Sequence, residues 1–418
     1  MERLRGRKGR QEKVRQRSIS VTKHTTSPEA ARPDGRKGPR KVLILSAPVG
    51  SGHRMASFAL AGVLRSLPNA DLTVEEGDVF RLLPDWLGRG LLGLYGLILR
   101  RCPSLYALSY RWGNGDGRSL WLRNAVNGLL CRLARPWLDR IAPDIVVSTH
   151  GTPTGIVSLY KRKYKPSLRL AVVVTDFTVH RWLLCPAVDT YFVAHADLVP
   201  LLRKGVPAGE KPRIGITGIP VRPDFAVPPG EAERQALRRG QGWQDEEFVC
   251  VLIGGGDGLL PMEGFVRLLG TPGLEALRLV AVTGRNGALR RRLEALRQRP
   301  GVGARLTVYG SLSSPAPLYQ AADLVLSKGG GVTVAETLAT GIPLVLFRPL
   351  PGQEEKNSAF LMEHGMARRA DTVAEAAACI AAEMAVPAAE RARQRRLRRD
   401  GQGHPAAARE IAFSLIYM

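Results

Sequence analysis

The five cysteines of this 418-residue chain, Cys102, Cys131, Cys185, Cys250 and Cys379, form no CxxC pair and no metal-ligand spacing. That excludes a zinc finger or a disulfide scaffold and points to buried thiols in a reducing compartment. Aromatic residues make up only 6% of the chain, and no RNP, KH or zinc-finger pattern accompanies its basic residues, which disfavours nucleic acid as a partner. No stretch reaches the roughly 18–20 continuous apolar residues that a membrane span needs, so the chain is expected not to cross a bilayer. The N-terminus lacks the apolar h-region of a secretory signal. No D-x-D pair follows a strand-like run, which leaves no obvious carboxylate site for a metal that bridges a diphosphate, and no Gly-Lys-Ser/Thr closes a Walker loop.

What the chain has in excess is positive charge: 61 Lys and Arg against 37 Asp and Glu give a formal +24. Such a balance requires an anionic partner or neighbourhood. Part of it lies in residues 1–39, which begin "MERLRGRKGRQEKVRQRS" and carry no apolar period; this tail is expected to be disordered. A second cluster, "ERARQRRLRRD" at 390–400, reads as a solvated helix face. Between 83 and 114, Trp86, Leu94, Tyr95 and Ile98 stand among other leucines and aromatics, interrupted by Arg89, Arg100, Arg101 and Arg111. Either these side chains lie in lipid headgroups as an interfacial segment, or they pack a pair of core helices.

Short apolar runs at 42–45, 145–148, 170–174 and 190–194 each lead into polar or glycine-containing turns and then longer helical stretches, a βαβ series. After the proline-rich break "GIPVRPDFAVPPGE" (218–231) the pattern restarts with "FVCVLIGGGDG", "LRLVAVTGRNG", "RLTVYG", "DLVLSKGGG" and "IPLVLF". The expected fold is therefore α/β, two Rossmann-like doubly wound parallel sheets facing one central cleft. Its boundaries are a tail to 39, a first domain at 40–222, a linker at 223–245, a second domain at 246–385 and a helical extension at 386–418.

In such sheets ligands sit beyond the carboxyl ends of the strands, where this chain places its glycine loops. "GGGDG" (254–258) exposes bare amides at Gly254, Gly255 and Gly256. "SKGGGVTVAETLATG" (327–341) does the same at Gly329, Gly330 and Gly331 after Ser327 and Lys328, and opens onto a helix N-terminus, a natural phosphate seat. Glu336, seven residues past Gly329, suits ribose hydroxyls as an acidic residue does in dinucleotide folds, or else faces solvent. A third loop, "APVGSGHRMAS" (47–57), follows the first strand and keeps small residues, including Gly52, around His53. An imidazole there either takes a proton from an acceptor hydroxyl or orients a sugar phosphate. Asp176, at a second strand end, is the rival base or the partner of His53. His150, at a third strand end, is expected to line the same cleft, and His180 stands between ligand contact and packing. His24, His195, His364 and His404 are read as structural.

Six blocks in order, "GSGHRMAS", "VVVTDFTVHRW", "ITGIPVRPDF", "VLIGGGDG", "VTGRNG" and "SKGGGVTVAETLATGIPLVLFRPLPGQEEKN", resemble the monogalactosyldiacylglycerol synthase and processive diacylglycerol glucosyltransferase family, from about Lys41 to Met366. The resemblance implies a GT-B fold and inverting transfer, without a metal or other cofactor, of glucose or galactose from UDP-glucose or UDP-galactose to diacylglycerol. Carried over by position, it gives the diphosphate to Gly329, Gly330, Gly331 and Thr333, the ribose to Glu336, and the sugar hydroxyls to Gln353, Glu354 and Asn357. Arg285 and Asn286 complete the nucleotide pocket, with Arg222 nearby. The family loop often carries alanine or proline beside its glycines, where this chain has three glycines in a row. A lipid acceptor also accounts for the charge: an anionic membrane surface attracts each nearby basic residue by about 1 kcal/mol, which implies a peripheral enzyme at the cytoplasmic face of the cell membrane. Alternatives are transfer of N-acetylglucosamine to a lipid-linked peptidoglycan precursor, whose "GGSQGA"-like loop is missing here, a UDP-sugar epimerase of the same fold, and a non-catalytic membrane or nucleic-acid adaptor.

Overall fold

Strand β1 (Arg40–Ser46) forms because Val42, Leu43, Ile44 and Leu45 give a continuous apolar run that both faces of a parallel sheet can bury, and all four are at most 2% exposed. The computed structural model describes residues 39–47, 51–68, 71–78 and 118–418, together with Gly90 and Gly93. The tail and the whole 83–111 segment, including Trp86, Leu94, Tyr95 and Ile98, lie outside these residues apart from the two glycines.

From β1 the chain runs through α1 (Ser51–Ser66), β2 (Leu72–Asp78), α2 (Arg118–Ile141), β3 (Ile145–Ser148), α3 (Gly151–Lys163), β4 (Arg169–Val173), β5 (Thr190–Val193), α4 (Leu198–Gly205) and β6 (Arg213–Ile216). These strands make one parallel sheet in the order β2-β1-β3-β4-β5-β6. The expected break at 218–231 is followed by α5 (Glu231–Gly240), and the alternation resumes with β7 (Phe248–Ile253), β8 (Leu277–Val282), α6 (Gly287–Arg297), β9 (Leu306–Tyr309), β10 (Leu324–Ser327), α7 (Gly331–Thr340), β11 (Leu344–Phe347), α8 (Gln353–Glu363), β12 (Arg368–Ala370) and α9 (Val373–Met384). The second sheet, also parallel, has the order β12-β11-β10-β7-β8-β9.

Each order reverses direction once, between β1 and β3 in the first sheet and between β7 and β10 in the second. At such a reversal the flanking loops part and leave a crevice at the carboxyl ends of the strands. Behind β1, β3, β7 and β10 stand His53 in the first turn of α1, His150 at the start of α3, the 254–258 glycines and the 329–331 glycines, so the strand order selects four of the strand ends that the sequence singles out.

The last two helices, α10 (Ala388–Gln402) and α11 (Ala407–Ile416), close the structure. Ile411, Ala412 and Leu415 of α11 are buried with Val42, Ile44, Leu60 and Val147 on the outer face of the first sheet, so the chain ends against the half in which it began. The basic run of α10 differs from the solvated face expected of it. Arg398 Nε donates to the Gly341 carbonyl at 3.0 Å, and Arg395 turns toward buried Asp323, its Nη2 at 3.8 Å. Asp323 already pairs with Arg234 at 2.7 Å and Arg238 at 3.0 Å, both from α5, and burial lowers Arg395 to about 10. Some of the positive charge therefore staples helices to the second sheet and does not face a partner.

Candidate active site

The first turn of α1 carries Ser51, Gly52 and His53. The imidazole of His53 is fixed from two other strand ends. Its Nδ1 lies 2.7 Å from the Thr149 carbonyl oxygen, which follows β3, and 2.8 Å from Thr175 Oγ1, which follows β4. A carbonyl can only accept, so Nδ1 carries the proton and Nε2 keeps its lone pair, with no hydrogen bond among the described residues. Burial holds His53 down to about 4 and His150 to about 3, the latter also because neighbouring His53 and His180 disfavour a further charge. The two rings meet edge to face with centroids 4.9 Å apart. Both are therefore neutral at physiological pH.

His150 does a second job as the N-cap of α3, accepting from Thr152 N at 3.2 Å, and His180 likewise accepts from Trp182 N at the start of a short turn. Both contacts are local capping interactions.

The second half closes directly on this centre. Gly331, the first residue of α7, has no room for a side chain: a Cβ there would overlap the Thr175 carbonyl oxygen and stand 3.0 Å from Asp176 Oδ1. Gly329 adopts φ +101°, which other residues rarely reach, and so turns the loop into the helix. On the first half, Gly52 lies against Val332 of α7, and Ser51 Oγ accepts from Gly256 N at 3.2 Å. The glycine loops that follow β7 and β10 thus meet the first turn of α1.

Asp176 is the strut of this closure. Its Oδ1 accepts from Asn357 Nδ2 at 2.9 Å, its Oδ2 accepts from Gln353 Nε2, and Asn357 Nδ2 also reaches the Gly329 carbonyl at 3.1 Å. Asn357 Oδ1 in turn accepts from Phe177 N at 2.9 Å. Burial pushes the Asp176 carboxyl up to about 7, and the two amide donors only partly offset it. Two of the residues carried over for sugar hydroxyls, Gln353 and Asn357, therefore hold the opposite half here; the third, Glu354, pairs with Lys328 Nζ at 2.9 Å.

Glu336 is 4% exposed and receives two bonds from Arg222, at 3.0 Å from Nε and 2.7 Å from Nη2. Burial raises its carboxyl to about 7 against the pull of that guanidinium. Arg222 also donates to the Ser313 carbonyl at 2.9 Å. Arg285 pairs with Asp257 at 2.8 Å on the surface, and Asn286 caps α6 through Leu289 N at 3.0 Å while donating to the Gly258 carbonyl at 3.3 Å. Ser327 ends β10 buried, and Thr333 sits in the first turn of α7. Sequence reasoning did not single out Thr175, which orients His53, or Ser51, which meets the 254–258 loop. Their only signal was position at a strand end and at a helix start.

Chemically, the centre pairs a neutral imidazole having a free lone pair with an amide-lined helix N-terminus that favours negative charge. That is the equipment for removing a proton from one reactant while stabilising an anionic leaving group on the other.

The family model described as monogalactosyldiacylglycerol (MGDG) synthase matches residues 53–221, and that of the glycosyltransferase family 28 C-terminal domain matches residues 273–378. The processive diacylglycerol beta-glucosyltransferase of Bacillus pumilus is 30% identical over 335 residues, covering 78% of this chain and 82% of that protein. The enzyme of the same name from Bacillus subtilis is 31% identical over 238 residues, 55% of this chain, and the match spans only 58% of the relative. Among solved structures, MurG of Acinetobacter baumannii covers 91% of this chain and 100% of its own, with a TM-score of 0.57 at 16% identity, a likeness of fold.

Proposed function

This chain belongs to the monogalactosyldiacylglycerol synthase family of GT-B glycosyltransferases, and we propose that it moves a hexosyl group from UDP-glucose or UDP-galactose to the hydroxyl of diacylglycerol with inversion at the anomeric carbon. The observation that carries this proposal is the convergence of His53 and the 329–331 loop on one point of the cleft.

In the proposed reaction His53 Nε2 takes the acceptor hydroxyl proton as the oxygen forms its bond to the anomeric carbon. The bond from that carbon to the diphosphate breaks, and UDP leaves with the electron pair. Amides at the start of α7 stabilise the charge on the diphosphate, with no metal at that point; preorganised donors of this kind are worth roughly 3–4 kcal/mol each. Thr175 and the Thr149 carbonyl hold the ring so that Nε2 faces the acceptor. Glu336 reaches the ribose hydroxyls while Arg222 neutralises it, and Gln353, Glu354 and Asn357 exchange their present partners for sugar hydroxyls when donor binds.

Diacylglycerol resides in a bilayer, and α2 supports peripheral contact with one. No helix among the described residues is long and apolar enough to cross a membrane. Yet α2 exposes Trp121, Leu122, Val126, Leu129 and Leu133, mostly at spacings of three and four, with Arg132, Arg135 and Arg140 exposed on the same helix. An apolar stripe bordered by arginines suits the interface of an anionic leaflet. We place the enzyme at the cytoplasmic face of the cell membrane.

The test is incubation of the full chain with radiolabelled UDP-glucose or UDP-galactose and diacylglycerol liposomes, followed by separation of the lipids. Label in a glycosyl-diacylglycerol band is expected, and the sugar that supports it decides between glucose and galactose. Failure of both donors in the presence of diacylglycerol overturns the proposal.

A further inference from the structure

His195, Asp197 and His364 offer three ligand atoms that all lie within 4.8 Å of one another. His195 and Asp197 follow β5 in the first half, and His364 ends α8 in the second, so the cluster joins the two halves. Asp197 Oδ2 stands 2.8 Å from His364 Nε2 and 3.8 Å from His195 Nδ1. The His364 ring stacks on Phe360 with centroids 4.0 Å apart, and its Nδ1 donates to the Phe360 carbonyl at 2.8 Å. His195 stands edge-on to both rings, and its Nδ1 is unprotonated, accepting from Asp197 N at 3.2 Å, a bond that ligation through Nδ1 replaces.

We propose that His195, Asp197 and His364 bind one divalent transition-metal ion, best matched by Zn²⁺, that clamps α8 against the first half of the molecule. Two imidazoles and one carboxylate form a donor set suited to zinc, with a remaining position for water beside the 61%-exposed Asp197. Tetrahedral bonds of about 2.0–2.1 Å put ligand atoms about 3.3–3.4 Å apart, between the two separations from Asp197 Oδ2 given above. The Nδ1 bond of His364 to a backbone carbonyl is the outer contact that fixes a ligating histidine with Nε2 toward the metal. The ion takes the place of the proton on His364 Nε2, so one proton leaves for each ion bound.

The position gives the clamp a consequence for the cleft. His364 follows Asn357 by seven residues, about 10 Å along the helix axis at its usual rise. Asn357 and Gln353 grip Asp176 near the start of α8, and the ion would fix the other end of the same helix. Sequence reasoning assigned His195 and His364 a structural role, because nothing in the sequence brings residues so far apart together.

The test is titration of the metal-free full chain with Zn²⁺ by calorimetry and with Co²⁺ by visible absorption, without donor or acceptor, so its outcome is independent of the transferase proposal. One saturable equivalent is expected, with the intense absorption of a tetrahedral cobalt centre. Affinity should fall at least about tenfold in His195→Ala, His364→Ala and Asp197→Asn. His364→Gln, which keeps a donor toward Asp197, serves should the alanine variant misfold, and circular dichroism checks each. No saturable binding by the wild-type chain, meaning that Asp197 and His364 form only an ion pair, overturns the proposal, as does unchanged affinity in both folded histidine variants.

Discussion

The choice of base can be decided by pH, because burial separates the two candidates by about three units: His53 is held down to about 4, whereas Asp176 is pushed up to about 7. A base must be unprotonated to act. At pH 5 a group of pKa about 4 is still about nine-tenths free, whereas one of pKa about 7 is only about 1% free, and an unperturbed histidine at 6.5 would be about 3% free. With His53 as base, kcat/KM for the acceptor at saturating UDP-sugar should fall less than about twofold between pH 8 and pH 5. His53→Ala should lower it by about a hundredfold or more across that range, the scale of a positioned base. The assay is initial-rate transfer to diacylglycerol in mixed micelles, repeated with Asp176→Asn. A tenfold loss per pH unit below 7 that persists in His53→Ala and disappears in Asp176→Asn would refute the assignment and make Asp176 the base.

Four further expectations follow from particular contacts. Gly331→Ala should push α7 away from Thr175 and Asp176; a displacement of about 1 Å at the reacting centre costs on the order of a hundredfold in turnover, and wild-type turnover would show that the closed arrangement is not the reactive one. Asp176 is raised above its unfolded value of 3.8, so its neutral form favours folding below about pH 4 and that contribution is lost as pH rises through about 7. The thermal midpoint of Asp176→Asn relative to wild type should therefore climb between pH 5 and pH 8 by calorimetry, and a constant difference would contradict the burial argument. Arg222→Ala leaves Glu336 buried without its partner and should cost about 3–5 kcal/mol in urea unfolding, whereas a loss under about 1 kcal/mol would mean that the pair is readily replaced by water. Leu129→Ser with Leu133→Ser, both on the exposed face of α2, should reduce sedimentation with anionic vesicles while leaving the fold and UDP affinity intact; undiminished sedimentation removes α2 as a membrane contact.

The sequence by itself determined the two parallel sheets and the strand ends at which the glycine loops stand. Runs such as Val42–Leu45 and Phe248–Ile253 are long enough only for strands, and glycines after a strand mark the places where a backbone can meet a phosphate. Those signals are local, so a sequence carries them openly. His53 and Asp176 were legible in the same way, as polar residues at strand ends. Only the tertiary structure decided their partners. Thr175 on His53, Asn357 on Asp176, Ser51 on Gly256 and Arg222 on Glu336 join residues 114–205 positions apart. Their meeting depends on strand order and on how one sheet closes against the other, and neither leaves a periodicity or spacing in the chain. The same reason hid the role of α10, whose arginines look solvated until Asp323 and the Gly341 carbonyl turn two of them inward. It also hid His195 and His364, which lie 169 residues apart and meet only because α8 packs beside the end of β5.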